Sequence, residues 1–202
     1  MAIEKIPLKI YFELTEDLDS DLPLPRVTIK LNGVILDEDV ELDNPNNETT
    51  LWQTDKKISV KEYSIEIDDD VEQEHTITVT KTSNISEVQN SLGIDESQPS
   101  GIDQYGAFVK DIEINEISVE TLIWGTGTVT AELCPESEFS TNGFITYAKE
   151  HSPEMFNDVS IIDGKCIWKS HTNYINYEMD HNEYSFKFAT PMYLWLLEQL
   201  LQ

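Results

Sequence analysis

Basic residues are scarce in this sequence. The 202-residue chain carries 13 lysines and arginines against 39 aspartates and glutamates, a formal net charge of −26, and its single arginine is Arg26. A field of that sign repels phosphate backbones and anionic lipids, and one arginine leaves almost no bidentate phosphate reader, so neither nucleic acid nor a membrane surface is an expected partner. The plainest use of the acidity is solubility. Cysteine is nearly absent. Cys134 and Cys166 make no disulfide framework and lack the close spacing of a redox or metal pair, so they read as buried free thiols. Long apolar runs are missing too: MAIEKIPLKIYFELTED holds none of signal-peptide length, and no segment reaches transmembrane length. Without a secretory signal, the acceptor patterns Asn47-Glu48-Thr49 and Asn84-Ile85-Ser86 read as coincidence.

Catalytic signatures are also wanting. There is no GxSxG elbow, no HExxH and no phosphate-binding glycine loop, and His75, His151, His171 and His181 show no metal-ligand spacing. His75 opens a strand and reads as a satisfied structural residue. Asp17, Asp19 and Asp21 begin like a calcium loop, but Leu22 stands where the turn glycine belongs and Thr28 where the closing glutamate belongs. Asp37, Asp39 and Glu41 alternate along one strand and read as a solvated face. Among so many acids no carboxylate pair can be singled out, so no catalytic residue is assigned and the chain is expected not to be an enzyme.

What is present is period-two alternation, with a hydrophobic content of 39 %, ample for a core. The stretch Gly106–Trp124 (GAFVKDIEINEISVETLIW) is the heaviest in β-branched and aromatic residues. Phe108, Ile112 and Ile114 share one parity, and after Asn115-Glu116 the apolar parity passes to Ile117, Val119 and Ile123, so a turn or bulge is predicted at 115–116. Leu8, Ile10, Phe12 and Leu14 alternate in a first strand. Asn32-Gly33 joins Val27, Ile29 and Leu31 to Val34, Leu36, Val40 and Leu42 in a hairpin. Further strands are expected at Leu51–Trp52, Ile58–Ile67, His75–Lys81 and Val129–Leu133. Hairpins are expected across Asp163-Gly164 and across Asp180–Glu183, the latter pairing Tyr174–Met179 with Tyr184–Ala189. At the end the period changes. Thr190 suits an N-cap and Pro191 the first helical position, and Tyr193, Leu196, Leu197 and Leu200 make a helical stripe. A helix this apolar is expected to bury itself on the fold.

The fold expected is mostly β, an antiparallel, jelly-roll-like β-sandwich with a short C-terminal α-helix. It is either one domain over 1–202, or N-terminal strands and hairpins of the sandwich at 1–72 followed by the sandwich core with the helix at 73–202. Ser83–Tyr105 is a long polar connection, and Asp95, Glu96 and Asp103 in it are the calcium candidates, because a loop can wrap oxygens around a hard ion. Tyr105 and Trp124 are candidates for stacking on a ligand. Tyr193, Leu197 and Leu200 would form a partner interface if the helix were not held within the chain.

Two stretches carry a family resemblance. HTITVTKTSN (75–84), the acidic loop and YGAFVKDIEINEI (105–117) resemble the second half of small calcium-dependent carbohydrate-binding modules. YSFKFATPMYLWLLEQL (184–200) resembles the strand–Thr-Pro–helix ending of virion-associated proteins of large tailed bacteriophages of marine bacteria. The likeness covers about half of the chain. It implies a non-enzymatic structural component of a tailed-phage virion (tail, baseplate or capsid exterior), made in the host cytoplasm and assembled in several copies with other virion proteins. The alternative it implies is a glycan- or receptor-binding module for host attachment, with a host-surface glycan as partner and calcium as cofactor.

Overall fold

Alternating apolar residues become the facing surfaces of two antiparallel sheets, packed as a β-sandwich with a short C-terminal helix. In the computed structural model the described residues are 4–14, 24–43, 57–82, 106–132, 160–162, 165–169, 174–176 and 180–201. In chain order the strands are β1 (Glu4–Leu14), β2 (Arg26–Leu31), β3 (Val34–Glu41), β4 (Ile58–Ile67), β5 (Gln73–Lys81), β6 (Gly106–Ile114) and the two-residue β7 (Ile117–Ser118). Helix α1 (Glu120–Thr126) follows, then β8 (Thr128–Glu132), β9 (Ser160–Ile162), β10 (Lys165–Lys169), β11 (Tyr174–Asn176), β12 (Asp180–Thr190) and helix α2 (Met192–Leu200). One sheet has the order β11-β6-β1-β4 with β7 on β6, the other β3-β2-β5-β12-β8-β10-β9. Each sheet draws strands from both sides of residue 72.

The core lies between the sheets. Leu8, Ile10, Phe12 and Leu14 of β1 are buried, facing Ile77 and Val79 of β5 and Tyr184, Phe186 and Phe188 of β12 in one cluster. Ile112 and Ile114 join them. Each such side chain contributes on the order of 1.5–3 kcal/mol by leaving water. Val27, Ile29 and Leu31 are buried as the alternation predicts, and the Asn32-Gly33 turn has left-handed φ at both positions, 52° and 78°. Those are the signs a tight type I′ hairpin requires.

The common parity of Phe108, Ile112 and Ile114 predicts that all three face the core, and for Phe108 this is corrected. Tyr11 pairs with Asp111 and Phe12 with Val109, so Lys110 is an extra residue in β6. This bulge reverses the parity: Ala107 and Val109 point inward, Phe108 is half-buried on the other face, and beyond the bulge Ile112 and Ile114 return to the core. Lys110 extends outward to Glu120, with Nζ 3.3 Å from Oε1.

The strand expected through Ile117, Val119 and Ile123 is corrected as well. A turn does sit at Asn115-Glu116, where φ is 52° and 65°, but β7 lasts two residues and α1 begins at Glu120. A separation of four satisfies a strand and a helix alike, and Val119 and Ile123 are both buried. Ile117, two residues before Val119, is 40 % exposed, which separates the two periods.

Three further expectations change. Val34 is exposed and Leu36 and Val40 are only partly buried, because β3 is an edge strand with two register shifts against β2. Its acids are more than a wet face: Asp39, with φ of 52°, holds Arg26 at 2.9 Å, Glu41 holds it at 3.5 Å, and Asp37 accepts from the Tyr63 hydroxyl at 3.3 Å. Charge and bulges on an edge discourage pairing with a foreign strand. Next, β11 does not pair with β12. It joins β6 in one sheet, while β12 lies between β5 and β8 in the other. Last, Thr190 ends β12 and Pro191 is the N-cap of α2, following a cis peptide bond. The strand positions expected at Leu51–Trp52, and the side chains of Cys134 and Cys166, lie outside the described residues.

Candidate functional site

Three chain reversals meet at one place on the sandwich. The β4–β5 connection crosses between the sheets through Asp68-Asp69-Asp70, the β6–β7 turn brings Asn115, and β12 passes into α2 at Thr190-Pro191. Between them lies a cleft of about 460 Å³, within the size range of small-ligand pockets. Its floor is apolar, with Ile6, Ile67 and Ile114 from one sheet and Phe188 from the other; Ile117, Met192 and Tyr193 stand at the sides.

The acidic turn is built from its own hydrogen bonds. Asp68 Oδ1 accepts the Asp70 amide at 3.1 Å, the local bond that makes aspartate a turn former. Asp69 Oδ1 accepts the Met192 amide at 2.7 Å. It thereby caps α2 from a distant part of the chain, supplying the acceptor that Pro191 cannot. The sequence pattern points to Thr190 for this cap. The Thr190 hydroxyl instead donates to the Val71 carbonyl at 2.6 Å, tying β12 to the acidic turn.

Behind the cleft wall sits His75, buried and stacked on Phe188 with ring centroids 5.0 Å apart. Asn32 Nδ2 lies 3.0 Å from Nδ1, and Thr190 Oγ1 lies 3.4 Å from Nε2. Asn32 Oδ1 accepts the Thr76 amide at 2.8 Å, so its NH2 must face His75. That assigns a neutral imidazole with the proton on Nε2, donating to Thr190. Burial pulls the His75 pKa below its ordinary value, with the Asp69 charge opposing. His75 is therefore the satisfied structural residue that its place in a strand implies.

Helix α2 extends from the cleft. It packs on the sandwich through Met192, Trp195 and Leu196, with the Trp195 ring edge-on to Phe186 and Phe188 at 6.1 and 6.4 Å. The stripe read from sequence is thus split. Leu196 turns inward, while Tyr193 is 69 % exposed, Leu194 54 %, Leu197 39 %, Leu200 76 % and the following Leu201 87 %. At 100° per residue these five form one continuous outward face. The expectation that the helix buries itself holds for one face only. Its apolar residues run most of the way round the axis, and a single sheet can cover one side.

A second polar group lies on the outer face of β6. Tyr11 donates to Glu113 Oε2 at 3.0 Å, and burial with that carboxylate beside it pushes the phenol up to about 12. Ser118 donates to Asp111 Oδ2 at 2.8 Å, yet burial still raises the Asp111 carboxyl above its usual range.

Of the sequence candidates, Asp95, Glu96, Asp103 and Tyr105 lie outside the described residues. Trp124 lies in α1, with its side chain outside them. Tyr193, Leu197 and Leu200 share the exposed face of α2, and Tyr193 also lines the cleft. Among the described residues no three His, Cys, Asp or Glu side chains are grouped so as to hold a metal ion, and no helix is long and apolar enough to cross a membrane. No family model, curated protein or solved structure matches the chain.

Proposed function

We propose that this chain is a non-enzymatic structural component of a tailed-bacteriophage virion, on the tail, baseplate or capsid exterior, assembled in several copies with other particle proteins. The observation that carries this reading is the outward face of α2. Tyr193, Leu194, Leu197, Leu200 and Leu201 stand exposed together on a helix whose only charged residue is Glu198. A contiguous apolar patch of this kind marks an interaction surface. A chain of net charge −26 repels its copies over most of its surface, and a nearly uncharged helix face is where contact costs least. The β-sandwich offers a rigid body to carry that face. The phage context rests on the likeness of the strand–Thr-Pro–helix ending and of the strands at 75–84 and 105–117 to virion-associated proteins. Mass spectrometry of purified particles tests it: the chain is expected in fixed stoichiometry with the major structural proteins, and its absence from particles overturns the reading.

A further inference from the structure

We propose that the cleft beside α2 docks a basic, partly apolar segment of a partner protein, with a lysine or arginine head at the Asp68–Asp70 rim and a neighbouring apolar side chain on the isoleucine floor. The inference stands on the cleft and does not need the virion reading.

The first argument is charge complementarity. Several acids near the cleft or on the neighbouring strands have a lysine beside them: Lys5 lies 3.7 Å from Glu66, Lys9 lies 3.7 Å from Glu62 and 3.8 Å from Glu113, and Lys187 lies 2.8 Å from Glu74. Glu66 and Glu74 flank the acidic turn on either side and are paired, but among the described residues no basic side chain forms an ion pair with Asp68, Asp69 or Asp70. Two of the three carboxylates spend one oxygen each on amides of the fold, at Asp70 and Met192, and Asp70 is exposed. The rim thus carries negative charge beside a low-dielectric wall, which focuses the field toward a cation.

The second argument is what kind of cation fits. The described acids do not converge on one point as a metal ion needs, and the floor formed by Ile6, Ile67, Ile114 and Phe188 offers no side-chain oxygen ligands. An ammonium or guanidinium on an aliphatic stem matches both parts, its stem lying along apolar surface while its head meets the acids. The third argument is continuity. Tyr193 belongs both to the cleft and to the exposed face of α2, so apolar surface leads out of the cleft along the helix. That favours an extended polypeptide segment over a free amine.

The test uses the full chain, labelled for NMR, and a capped hexapeptide of alternating lysine and leucine. Saturable shifts are expected at the amides of Asp68–Asp70, Asn115, Ile117 and Tyr193, and none from the matched glutamate–leucine peptide. The double variant Asp68→Asn with Asp70→Asn keeps the acceptor oxygen of the turn and should weaken binding about tenfold at low salt. Ile117→Ser, at a partly exposed position, should weaken it about threefold or more through lost apolar contact. Removing equal charge away from the cleft, with Glu38→Gln and Glu62→Gln, should leave the affinity within about twofold. Shifts spread over the whole acidic surface, equal weakening by the distant pair, or an unchanged affinity in Ile117→Ser would overturn the proposal. So would hexylamine binding as tightly as the peptide, since the occupant would then be a small amine.

Discussion

The inward face of β12 meets two different environments along its length. At Tyr184 the space between the sheets is full. The ring is wholly buried, its hydroxyl donates to the Ile123 carbonyl of α1 at 3.4 Å, and a Cβ added at Gly127 would collide with its ring and hydroxyl. Four to six residues on, Phe188 and Thr190 border an open cleft of about 460 Å³. One strand is thus packed tightly against a helix in one stretch and borders an open cleft in the other. Close packing is the rule inside proteins, so a stable, partly apolar opening at the rim is the place to look for an occupant. The difference also traces to the connections. The β7–β8 connection, with Val119 and helix α1, links the sheets and fills the space with Val119 and Ile123, whereas the β4–β5 turn spans them with three short polar side chains.

The largest expected effect lies in the filled stretch. Tyr184→Ala should cost about 3–5 kcal/mol, as truncation of a buried aromatic does, read from denaturant unfolding. The same measurement on Ile117→Ser at the cleft should stay within about 0.5 kcal/mol of wild type. Comparable losses would erase the contrast between the two stretches.

Gly127→Ala comes next. Its φ of −66° is ordinary for any residue, so the cost is steric and should be about 1–3 kcal/mol. Combining it with Tyr184→Phe, which removes the hydroxyl, one of the three atoms that crowd the new methyl, should recover part of the loss. Full additivity of the two changes would mean that they do not touch.

On the cleft side, the His75 network gives a pH dependence. Its folded-state pKa lies below the unfolded value, so the folded state holds the neutral form. That stability is complete above about pH 6.5 and is lost as pH falls from there toward the folded pKa, at no more than about 1.4 kcal/mol per pH unit. The groups facing the ring are Asn32 of the β2–β3 turn, Thr190 and Phe188 of β12, and the charge of Asp69. His75→Gln should flatten the thermal-stability profile below about pH 6.5. An unchanged slope would move the effect to another group.

Legibility in the sequence followed local chemistry. The alternation of β1 and the Asn32-Gly33 hairpin depend on neighbours in the chain and were readable. The Lys110 bulge was not, because both parities of GAFVKDIEI offer apolar residues and only pairing with β1 decides between them. Helix α1 hid behind a spacing common to both periods. The local pattern points to the adjacent Thr190 as the α2 cap, while the acceptor comes from Asp69, 123 residues before Met192. The cleft was invisible for the same reason: Ile6, Asp68, Asn115 and Thr190 meet only after two sheets have formed. A run of three aspartates at the end of a strand is the one available signal, and by itself it indicates no more than a charged turn.

The smallest expected effect compares the hairpin turn that does not line the cleft with the one that does. Asn32-Gly33 and Asn115-Glu116 both place two residues in the left-handed region, with φ of 52° and 78° in the first and 52° and 65° in the second. Asparagine tolerates that region and glycine enters it freely, but a glutamate carries a Cβ that crowds its own backbone at a cost of roughly 1–2 kcal/mol. Against this stands the greater freedom a glycine has in the unfolded chain, worth roughly 0.5–1 kcal/mol. Glu116→Gly should therefore stabilise by about 0.5–1 kcal/mol and raise Tm by about 1–4 °C for a chain of this size. The reverse change, Gly33→Glu, calibrates the conformational cost alone, because a Cβ at Gly33 meets nothing within 4 Å. If Glu116→Gly lowers Tm while Gly33→Glu also lowers it, then the Glu116 side chain contributes more than its backbone costs. The cleft-side turn would then be held by a contact that the other turn lacks.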